Sequence, residues 1–247
     1  MRIVLLTDLH ANREALEACL DHAGRHKADR YVFLGDFVGY GADPGWVVDT
    51  VMAHVEKGAV AVQGNHDAAA LAGARSTMIE DARRAIEWTR AHLDDRHLDF
   101  LRELPLSVED GDRMYVHANA WAPAQWDYVT RSAEAARSMH ATSCRYTFCG
   151  HMHEPMLYHM GGTGRASSFV PVAGSAIPVV PPRKWLAIPG SVGQPRDGNP
   201  AACYAVFDDA RLELTYYRVA YDVEAAARKI TEAGLPRELS VRLERGY

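Results

Sequence analysis

The first third of the chain alternates short apolar runs with amphipathic segments, and this order most constrains the fold. The apolar runs are 2–6, 31–36 and 59–67, with the sequences RIVLL, YVFLGD and AVAVQGNHD. A segment with apolar residues at the 3.6-residue period follows the first run, and an Asp43-Pro44 pair starts a second helix. This alternation of strands and helices predicts right-handed βαβ units and a largely parallel sheet.

Five apolar runs of the chain end in polar clusters. The clusters are TDLH (7–10), GDFVGYG (35–41), GNHD (64–67), VHAN (116–119) and GHMH (150–153). Because ligands bind beyond the carboxyl ends of strands in open α/β sheets, we expect the polar side chains of these clusters to meet in space. In the first three clusters these side chains are Asp8, His10, Asp36, Asn65 and His66. Taken singly, each cluster has an ordinary interpretation as a helix cap, a turn or a packed histidine. All five together favour one shared site.

The mixture of imidazole and carboxylate groups in the clusters indicates metal binding. Such ligands suit Mn, Fe or Zn, whereas Mg or Ca would favour oxygen ligands alone, and the clusters contain no thiolates. His151 and His153 alternate, so on a continuing strand they would point to opposite faces. We therefore predict that the chain leaves the strand there, that the two histidines reach two different metals, and that Asp36 bridges them. Two cations about 3.5–4 Å apart suit in-line displacement at phosphorus.

The composition excludes several other classes of protein. Of the 247 residues, 48% are hydrophobic and 24% charged, as in ordinary globular proteins. A net charge of −5 gives no support for nonspecific binding to nucleic acid or to anionic membranes. The four cysteines show no C-x-x-C spacing, no secretory signal is recognisable, and no segment approaches the roughly 18 apolar residues of a membrane span. We predict a cytoplasmic protein with reduced cysteines and no membrane association; its oligomeric state stays open.

The remainder of the chain favours a single domain, residues 1–247. Residues 68–104 carry helical patterns and form a predicted helical insertion, and a hairpin with an Asp110-Gly111 turn follows. Strand-like runs dominate the second half, and a last helical pattern covers 222–234. The segment 161–184 is rich in Gly, Pro and Ser and is predicted to be a surface loop with short edge strands. There is no internal repeat, low-complexity tract or linker.

The series D-x-H, G-D, G-N-H-D, H and G-H-x-H, spread over residues 8–153, resembles the calcineurin-like metallophosphoesterase superfamily. The segment IPGSVGQPRDGNP (188–200) resembles the bacterial phosphodiesterase-like branch of that superfamily. The resemblance implies an α/β (α+β) fold, a four-layer α/β/β/α sandwich with two mixed β-sheets and a dinuclear metal site at the strand ends.

The resemblance also assigns seven metal ligands, in two sets joined by one bridge. The first set is Asp8, His10 and His153, the second set is Asn65, His117 and His151, and the bridge is Asp36. It implies two divalent or mixed-valence metal ions, with Mn or Fe favoured and Zn or Ni possible. A hydroxide shared by the metals would be the nucleophile.

Two further residues match catalytic positions of the family. His66 corresponds to the histidine that assists the leaving oxygen, and Asp67 would orient His66 by accepting from its second ring nitrogen.

The chain departs from the G-D-x-x-D pattern of many relatives, since Gly39 replaces the second Asp and no Arg follows. The missing Arg removes a phosphate clamp typical of phosphoprotein phosphatases. Tyr40 and Arg196 are candidates for substrate binding, although 188–200 could equally serve only as a tight turn.

The main hypothesis is a metal-dependent phosphoesterase that hydrolyses a small phosphodiester or nucleotide-type substrate. The alternatives are a nucleoside-polyphosphate hydrolase, a broad phosphomonoesterase, or a scaffold of the same fold without catalysis, such as the retromer subunit of the superfamily. A scaffold can lose ligands without penalty, whereas here all seven ligands and His66 match the motif. The ligands alone do not separate the enzyme hypotheses, because each reaction needs the same nucleophile.

Overall fold

The computed structural model of the protein describes residues 1–74 and 78–247, and two six-stranded sheets lie face to face in it. The strands are β1 (Arg2–Leu6), β2 (Arg30–Phe33), β3 (Val60–Ala61), β4 (Ser107–Asp110), β5 (Arg113–Val116), β6 (Tyr146–Phe148), β7 (Met156–Met160), β8 (Ala166–Phe169), β9 (Ala176–Pro178), β10 (Lys184–Ile188), β11 (Ala202–Asp208) and β12 (Glu213–Val219). The helices are α1 (Arg13–Arg25), α2 (Pro44–Val55), α3 (Asn65–Ala72), α4 (Glu80–Ala91), α5 (Asp95–Glu103), α6 (Ser132–His140), α7 (Val223–Glu232) and α8 (Arg237–Arg245), and a single 3₁₀ turn covers Pro123–Gln125.

Both sheets are mixed, and their parallel strands determine where the polar clusters emerge. The first sheet has the order β3-β2-β1-β11-β12-β9, in which β1, β2 and β3 are parallel and the others are antiparallel to their neighbours. The second sheet has the order β4-β5-β6-β10-β7-β8, in which β5, β6 and β10 are parallel. Because parallel strands end at the same edge of a sheet, the segments that follow β1, β2, β5 and β6 emerge together.

Alternation of side chains along the strands builds the layers. On β1, Ile3 and Leu5 belong to the buried cluster between the two sheets, where they join Tyr115 and Phe148 of the second sheet. The intervening residues of β1 face the other way, and pack with apolar residues of α1 and α2. On the far side, the outer face of the second sheet packs on α6. The α/β/β/α sandwich predicted from the resemblance is therefore confirmed.

The C-terminal helices are where structure and sequence analysis differ most. The predicted helix 222–234 is present as α7, but α8 was not predicted. Its sequence, RELSVRLER, is mostly charged. The buried residues of the helix are Leu239, Ser240 and Leu243. Two leucines give too short a periodic pattern to identify a helix. In the structure they pack against α4, α7 and Tyr40, so tertiary contacts stabilise α8.

Other predicted segments agree with the structure. The segment 161–184 holds β8 and β9, which are the edge strands of the two sheets. The predicted helical insertion 68–104 contains most of α3 and all of α4 and α5, and its residues 75–77 lie outside the described part of the chain. In the described residues, no helix has the length and apolar character needed to cross a membrane.

Candidate metal centre

The predicted ligands lie where the chain turns sharply away from the strands. Five of them have positive backbone φ angles: Asp8 (53°), His10 (47°), Asp36 (55°), His151 (68°) and His153 (61°). Left-handed backbone is costly for residues other than glycine, and it concentrates at functional sites. Strand β6 ends at Phe148, before the two histidines. The prediction that the chain leaves the strand at GHMH is confirmed.

A first cluster of four buried residues lies between the two sheets' edges. The potential ligand atoms of Asp8, His10, Asp36 and His153 all lie within 4.8 Å of one another. The Nε2 atoms of His10 and His153 are 3.1 Å apart. His153 Nε2 is 3.3 Å from Asp8 Oδ1, and His10 Nε2 is 3.7 Å from Asp36 Oδ2.

A second cluster shares Asp36 with the first and adds His117 and His151. His117 Nε2 lies 3.4 Å from Asp36 Oδ2 and 3.2 Å from His151 Nδ1. Asn65 also lies at the second cluster, since its Oδ1 is 3.1 Å from His117 Nε2. Asp36 Oδ2 therefore faces both clusters. The structure brings all seven predicted ligands together in the two predicted sets, and their role as ligands stays a prediction.

Backbone carbonyl groups fix which ring nitrogen of each histidine faces the clusters. His10, His117 and His153 donate from Nδ1 to the carbonyl oxygens of Val38 (3.1 Å), Leu34 (2.7 Å) and Gln194 (2.6 Å), and His151 donates from Nε2 to that of Trp126 (3.0 Å). Because a carbonyl only accepts, the bonded nitrogen carries a hydrogen, and the other nitrogen faces the cluster, where it can bind a metal when it carries no proton. A backbone or carboxylate acceptor behind the ring is the usual support of a metal-binding histidine.

Burial and neighbouring charges shift the pKa values of these groups in different directions. Burial lowers the pKa of His10 and His153 below the ordinary value, and that of His151 to about 3. Burial acts in the same sense on His117, but the carboxylate of Asp36 outweighs it and raises the pKa of His117 to about 9. Three of the four imidazoles are thus neutral at pH 7, and the fourth is cationic beside Asp36.

The arrangement fits two cations. In each cluster, imidazole nitrogens about 3 Å apart point at one another, at 3.1 Å and 3.2 Å, with buried carboxylates between them. The facing lone pairs of the neutral imidazoles of His10 and His153 repel at that distance, and the buried carboxylates need a counter-charge. In the second cluster the proton on Nε2 of His117 occupies this place, and a metal ion would replace it. A cation in each cluster meets both requirements, and nitrogen with carboxylate oxygen suits Mn, Fe or Zn. The geometry therefore indicates a dinuclear metal site.

The predicted hydrogen bond between His66 and Asp67 is wrong. Asp67 is fully buried, and its carboxylate accepts from the backbone N–H groups of Asp36 (2.9 Å), Phe37 (2.9 Å) and Gly64 (2.9 Å). Within residues 1–74 and 78–247, Nδ1 of His66 is buried and has no hydrogen-bond partner. Asp67 faces away from His66 because α3 begins at Asn65 and turns the third helical residue back to the preceding loop. Asp67 thus positions the Asp36 loop.

His66 is held by packing on Gly39 and Tyr40, the two positions that depart from the family pattern. A Cβ atom at Gly39 would lie 2.5 Å from His66 Nδ1, and Gly39 has a φ of +84°. The ring of Tyr40 lies 4.5 Å from that of His66 between centroids, and the His10 ring lies 4.9 Å from it. Burial lowers the pKa of His66 to about 4. Glycine here lets the imidazole lie directly on the backbone.

The segment 188–200 braces the first metal-ligand loop. The N–H groups of Val192 and Gly193 donate to the carbonyl oxygens of Thr7 (3.0 Å) and Asp8 (2.8 Å), and Ser191 Oγ also donates to that of Asp8 (2.9 Å). These backbone donors are therefore used within the protein and do not face a substrate. Of the two interpretations of this segment, the structural turn holds for its backbone.

Arg196, from the same segment, lies beside the clusters and lines a cavity of about 610 Å³. Its Nη2 is 3.1 Å from Gln194 Oε1 and 3.5 Å from the hydroxyl of Tyr40. Both predicted substrate-binding residues, Tyr40 and Arg196, thus border this cavity, together with His66 and Asn65. A volume of this size matches the ligand pockets of about 300–1,000 Å³ found in proteins.

Sequence reasoning missed several residues of the cavity. Tyr128 lies flat on His151, with ring centroids 4.0 Å apart and an interplanar angle of 14°, and it remains 49% exposed. It comes from an irregular segment without hydrophobic periodicity, so no local pattern identified it. Arg242 and Tyr247 border the cavity from the far side. They belong to the C-terminal part whose helix α8 was not predicted.

Known proteins resemble this chain over its whole length. An uncharacterized protein of Methanocaldococcus jannaschii is 32% identical over 247 residues, 98% of this chain and 96% of the relative. The crystal structure of a metallophosphoesterase from Sphaerobacter thermophilus has 35% identity and a TM-score of 0.88, and covers 100% of this chain and 99% of its own. The structure of a hypothetical protein from Pyrococcus horikoshii has 19% identity, a TM-score of 0.81, and coverage of 100% and 98%, and shares the fold.

A family model also matches most of the chain. Residues 1–210 match the model of the calcineurin-like phosphoesterase superfamily domain. The matched part contains every strand of the two sheets except β12, together with all seven predicted ligands. Given this match, the close likeness to the Sphaerobacter enzyme and the paired Asp and His clusters, the chain belongs to the calcineurin-like phosphoesterase superfamily.

Proposed function

We propose that this protein is a dinuclear metal-dependent phosphodiesterase that acts on a small phosphodiester or nucleotide-type substrate. The observation that carries the proposal is the pair of buried clusters that share Asp36, with Asn65 and His151 of the second set bordering an open cavity. The cavity places His66 and Arg196 beside the clusters. Nucleophile activation, charge neutralisation and leaving-group assistance are then available at one point, as hydrolysis at phosphorus requires.

The clusters would hold the two cations through the nitrogens and oxygens that converge there. The first cation would bind His10, His153 and Asp8, and the second His117, His151 and Asn65, with Asp36 between them. Bound cations supply Lewis acidity toward the phosphoryl oxygens and lower the pKa of a water molecule for attack at neutral pH. The protein contributes ligands held rigidly by backbone carbonyl groups.

His66 and Arg196 act on the substrate itself. His66 buries Nδ1 against Gly39, which leaves Nε2–H as the group available to donate a hydrogen bond to the leaving oxygen and stabilise the charge on it. Arg196 offers a guanidinium whose Nε is buried and, in the described part of the chain, has no hydrogen-bond partner. A guanidinium at the cavity wall is suited to orient a phosphoryl oxygen.

Three alternatives use the same site: a nucleoside-polyphosphate hydrolase, a broad phosphomonoesterase, and a scaffold without catalysis. The enzymes differ in the leaving group that they accept, so relative rates on diester and monoester substrates separate them. The scaffold hypothesis would not require His66 to lie at the cavity beside the clusters. We favour the diesterase because no arginine follows the Asp36 loop as it does in relatives that clamp phosphate monoesters.

The test is metal titration of chelator-treated protein. Mn²⁺ is added stepwise while hydrolysis of bis-(p-nitrophenyl) phosphate and of p-nitrophenyl phosphate is measured. We expect turnover that saturates at two metals per chain and a diester rate well above the monoester rate. A higher monoester rate would support the broad monoesterase instead. Binding of two metals without turnover of either compound would contradict the proposal and favour the scaffold.

A further inference from the structure

Helix α8 lies beyond residues 1–210, the part of the chain that matches the superfamily domain, and yet it forms a wall of the cavity. Glu238 and Arg242 of α8 and the following Tyr247 border the cavity on the side away from the sheets. Glu238 and Arg242 are one helical turn apart, and therefore lie on the same face. The adjacent face, about 100° around the helix, buries Leu239 and Leu243 against α4 and α7.

Arg242 is a cation for which the described residues provide no partner. Across residues 1–74 and 78–247, its side chain forms no hydrogen bond, ion pair or ring contact. Other arginines near the cavity are engaged: Arg245 donates to the hydroxyl of Tyr247 (2.6 Å), and Arg196 donates to Gln194 (3.1 Å). Arg242 is half-buried and faces the same space as Arg196. A guanidinium so placed matches the geometry of phosphate recognition.

Three tyrosine rings form part of the cavity wall. Tyr40 and Tyr128 lie on the side of the clusters, and Tyr247 lies on the side of α8. Tyr128 and Tyr247 remain 49% and 46% exposed, so their rings offer surface to a ligand. Large rings with free surface stack readily on planar bases. A hydrolase that needed only the phosphoryl group would have no use for this distant wall.

We propose that α8 makes this cavity selective for a nucleotide that carries a second phosphate, with Arg242 binding the phosphate that is not cleaved and Tyr247 contacting the base. The inference rests on the proposed function, because it places the reacting phosphoryl group at the two clusters. The cavity of about 610 Å³ is large enough for such a ligand.

Calorimetric titration tests the phosphate half of the inference without requiring turnover. The Mn²⁺-loaded protein is titrated with adenosine 5′-monophosphate and with adenosine 3′,5′-bisphosphate, which differ by one phosphate. For the wild-type protein we expect a Kd for the bisphosphate about tenfold lower than for the monophosphate. Arg242→Gln should remove this difference. Arg237→Gln is the matched control, because Arg237 lies on the same helix, is exposed and does not border the cavity.

A second pair of ligands tests the base half. Adenosine 5′-monophosphate and ribose 5-phosphate share the phosphate and differ by the base. Tyr247→Ala should weaken binding of the nucleotide by about fivefold and leave that of ribose 5-phosphate within twofold, because only the base contacts the ring. Equal binding of these two ligands by the wild-type protein would contradict a base-binding wall.

The outcomes separate the inference from the proposed function. Equal Kd values of the two adenosine nucleotides, no binding of either, or a preference for the bisphosphate that survives Arg242→Gln would each overturn the inference. Hydrolysis of bis-(p-nitrophenyl) phosphate, measured in the same preparations, reports only on the proposed function. If hydrolysis is present but Arg242 has no effect on either Kd, the phosphodiesterase stands and α8 has no part in selectivity.

Discussion

The two sides of the cavity are built in opposite ways. On the side of the clusters, the four imidazoles of the predicted ligands are buried and bonded to backbone carbonyls, and five predicted ligands have left-handed backbone. On the side of α8, Glu238 is exposed, Arg242 has no partner in the described chain, and Tyr247 is 46% exposed. The comparison separates a rigid side, suited to metals and chemistry, from an adaptable side, suited to the choice of substrate.

The largest effect is expected at the residue that both clusters share. In Asp36→Asn, an amide replaces the carboxylate oxygen that faces His10 and His117 at 3.7 Å and 3.4 Å. We expect loss of at least one cation per chain and turnover at the level of metal-free protein, because even outer-shell changes cost about 10- to 100-fold. Metal content by plasma mass spectrometry and diester hydrolysis measure this.

The matched control for this change is Asp49→Asn. Asp49 is 43% exposed on α2 and pairs with Arg96, far from the clusters. It should keep two metals per chain and wild-type turnover. If Asp36→Asn also kept both, the clusters would not be the metal site, and the rigid side would have no catalytic purpose.

The next effect separates chemistry from metal binding on the same side. His66→Ala should lower kcat by about 100-fold or more, as expected for loss of a donor that stabilises charge on the leaving oxygen, while metal content stays at that of the wild type. His66 contacts the clusters through ring packing but belongs to neither group of candidate ligands. His140→Ala, an exposed histidine on α6, serves as the control. Unchanged turnover would show that His66 has only a structural role.

A substitution of Asp67 measures how much its hydrogen bonds to the Asp36 loop contribute to stability. Asp67→Asn places an amide group where the carboxylate accepts from Gly64 and Asp36, so a buried donor faces a donor. We expect a loss of about 1–3 kcal/mol in the free energy of unfolding, measured with urea on the metal-free protein. If Asp67 instead oriented His66, the substitution would change the pH profile of kcat and leave stability unaltered.

The rigid side could be predicted from the sequence, and the adaptable side could not. Asp8, Asp36 and the GHMH histidines directly follow strands, so the order of strands and helices alone brings them to one edge. Asp67 was misassigned because adjacency to His66 does not specify the direction in which a carboxylate points at the start of a helix. Arg242 belongs to a helix stabilised by tertiary packing, and such contacts leave no local pattern.

Proton release on metal binding tests whether His117 is a ligand in the second cluster. Because Asp36 raises the pKa of His117 to about 9, His117 is protonated at pH 7 in the metal-free protein, and a cation must displace that proton. Calorimetry at pH 7 in two buffers of different ionisation enthalpy should show release of about one proton from this histidine. Release should decline as the pH rises through 9, where His117 is already neutral. No release at pH 7 would contradict a role of His117 as ligand.

The smallest effect is expected on the adaptable side. Glu238→Gln removes a negative charge from the wall of α8 and should lower the KM for bis-(p-nitrophenyl) phosphate about twofold at low salt, because exposed charges interact weakly. The free energy of unfolding should change by less than about 0.5 kcal/mol, as for most surface substitutions. Glu232→Gln, exposed on α7 outside the cavity lining, is the control and should alter neither quantity. If Glu238→Gln destabilised the protein as much as Asp67→Asn, α8 would be braced as firmly as the metal centre, and the contrast between the two sides would not hold.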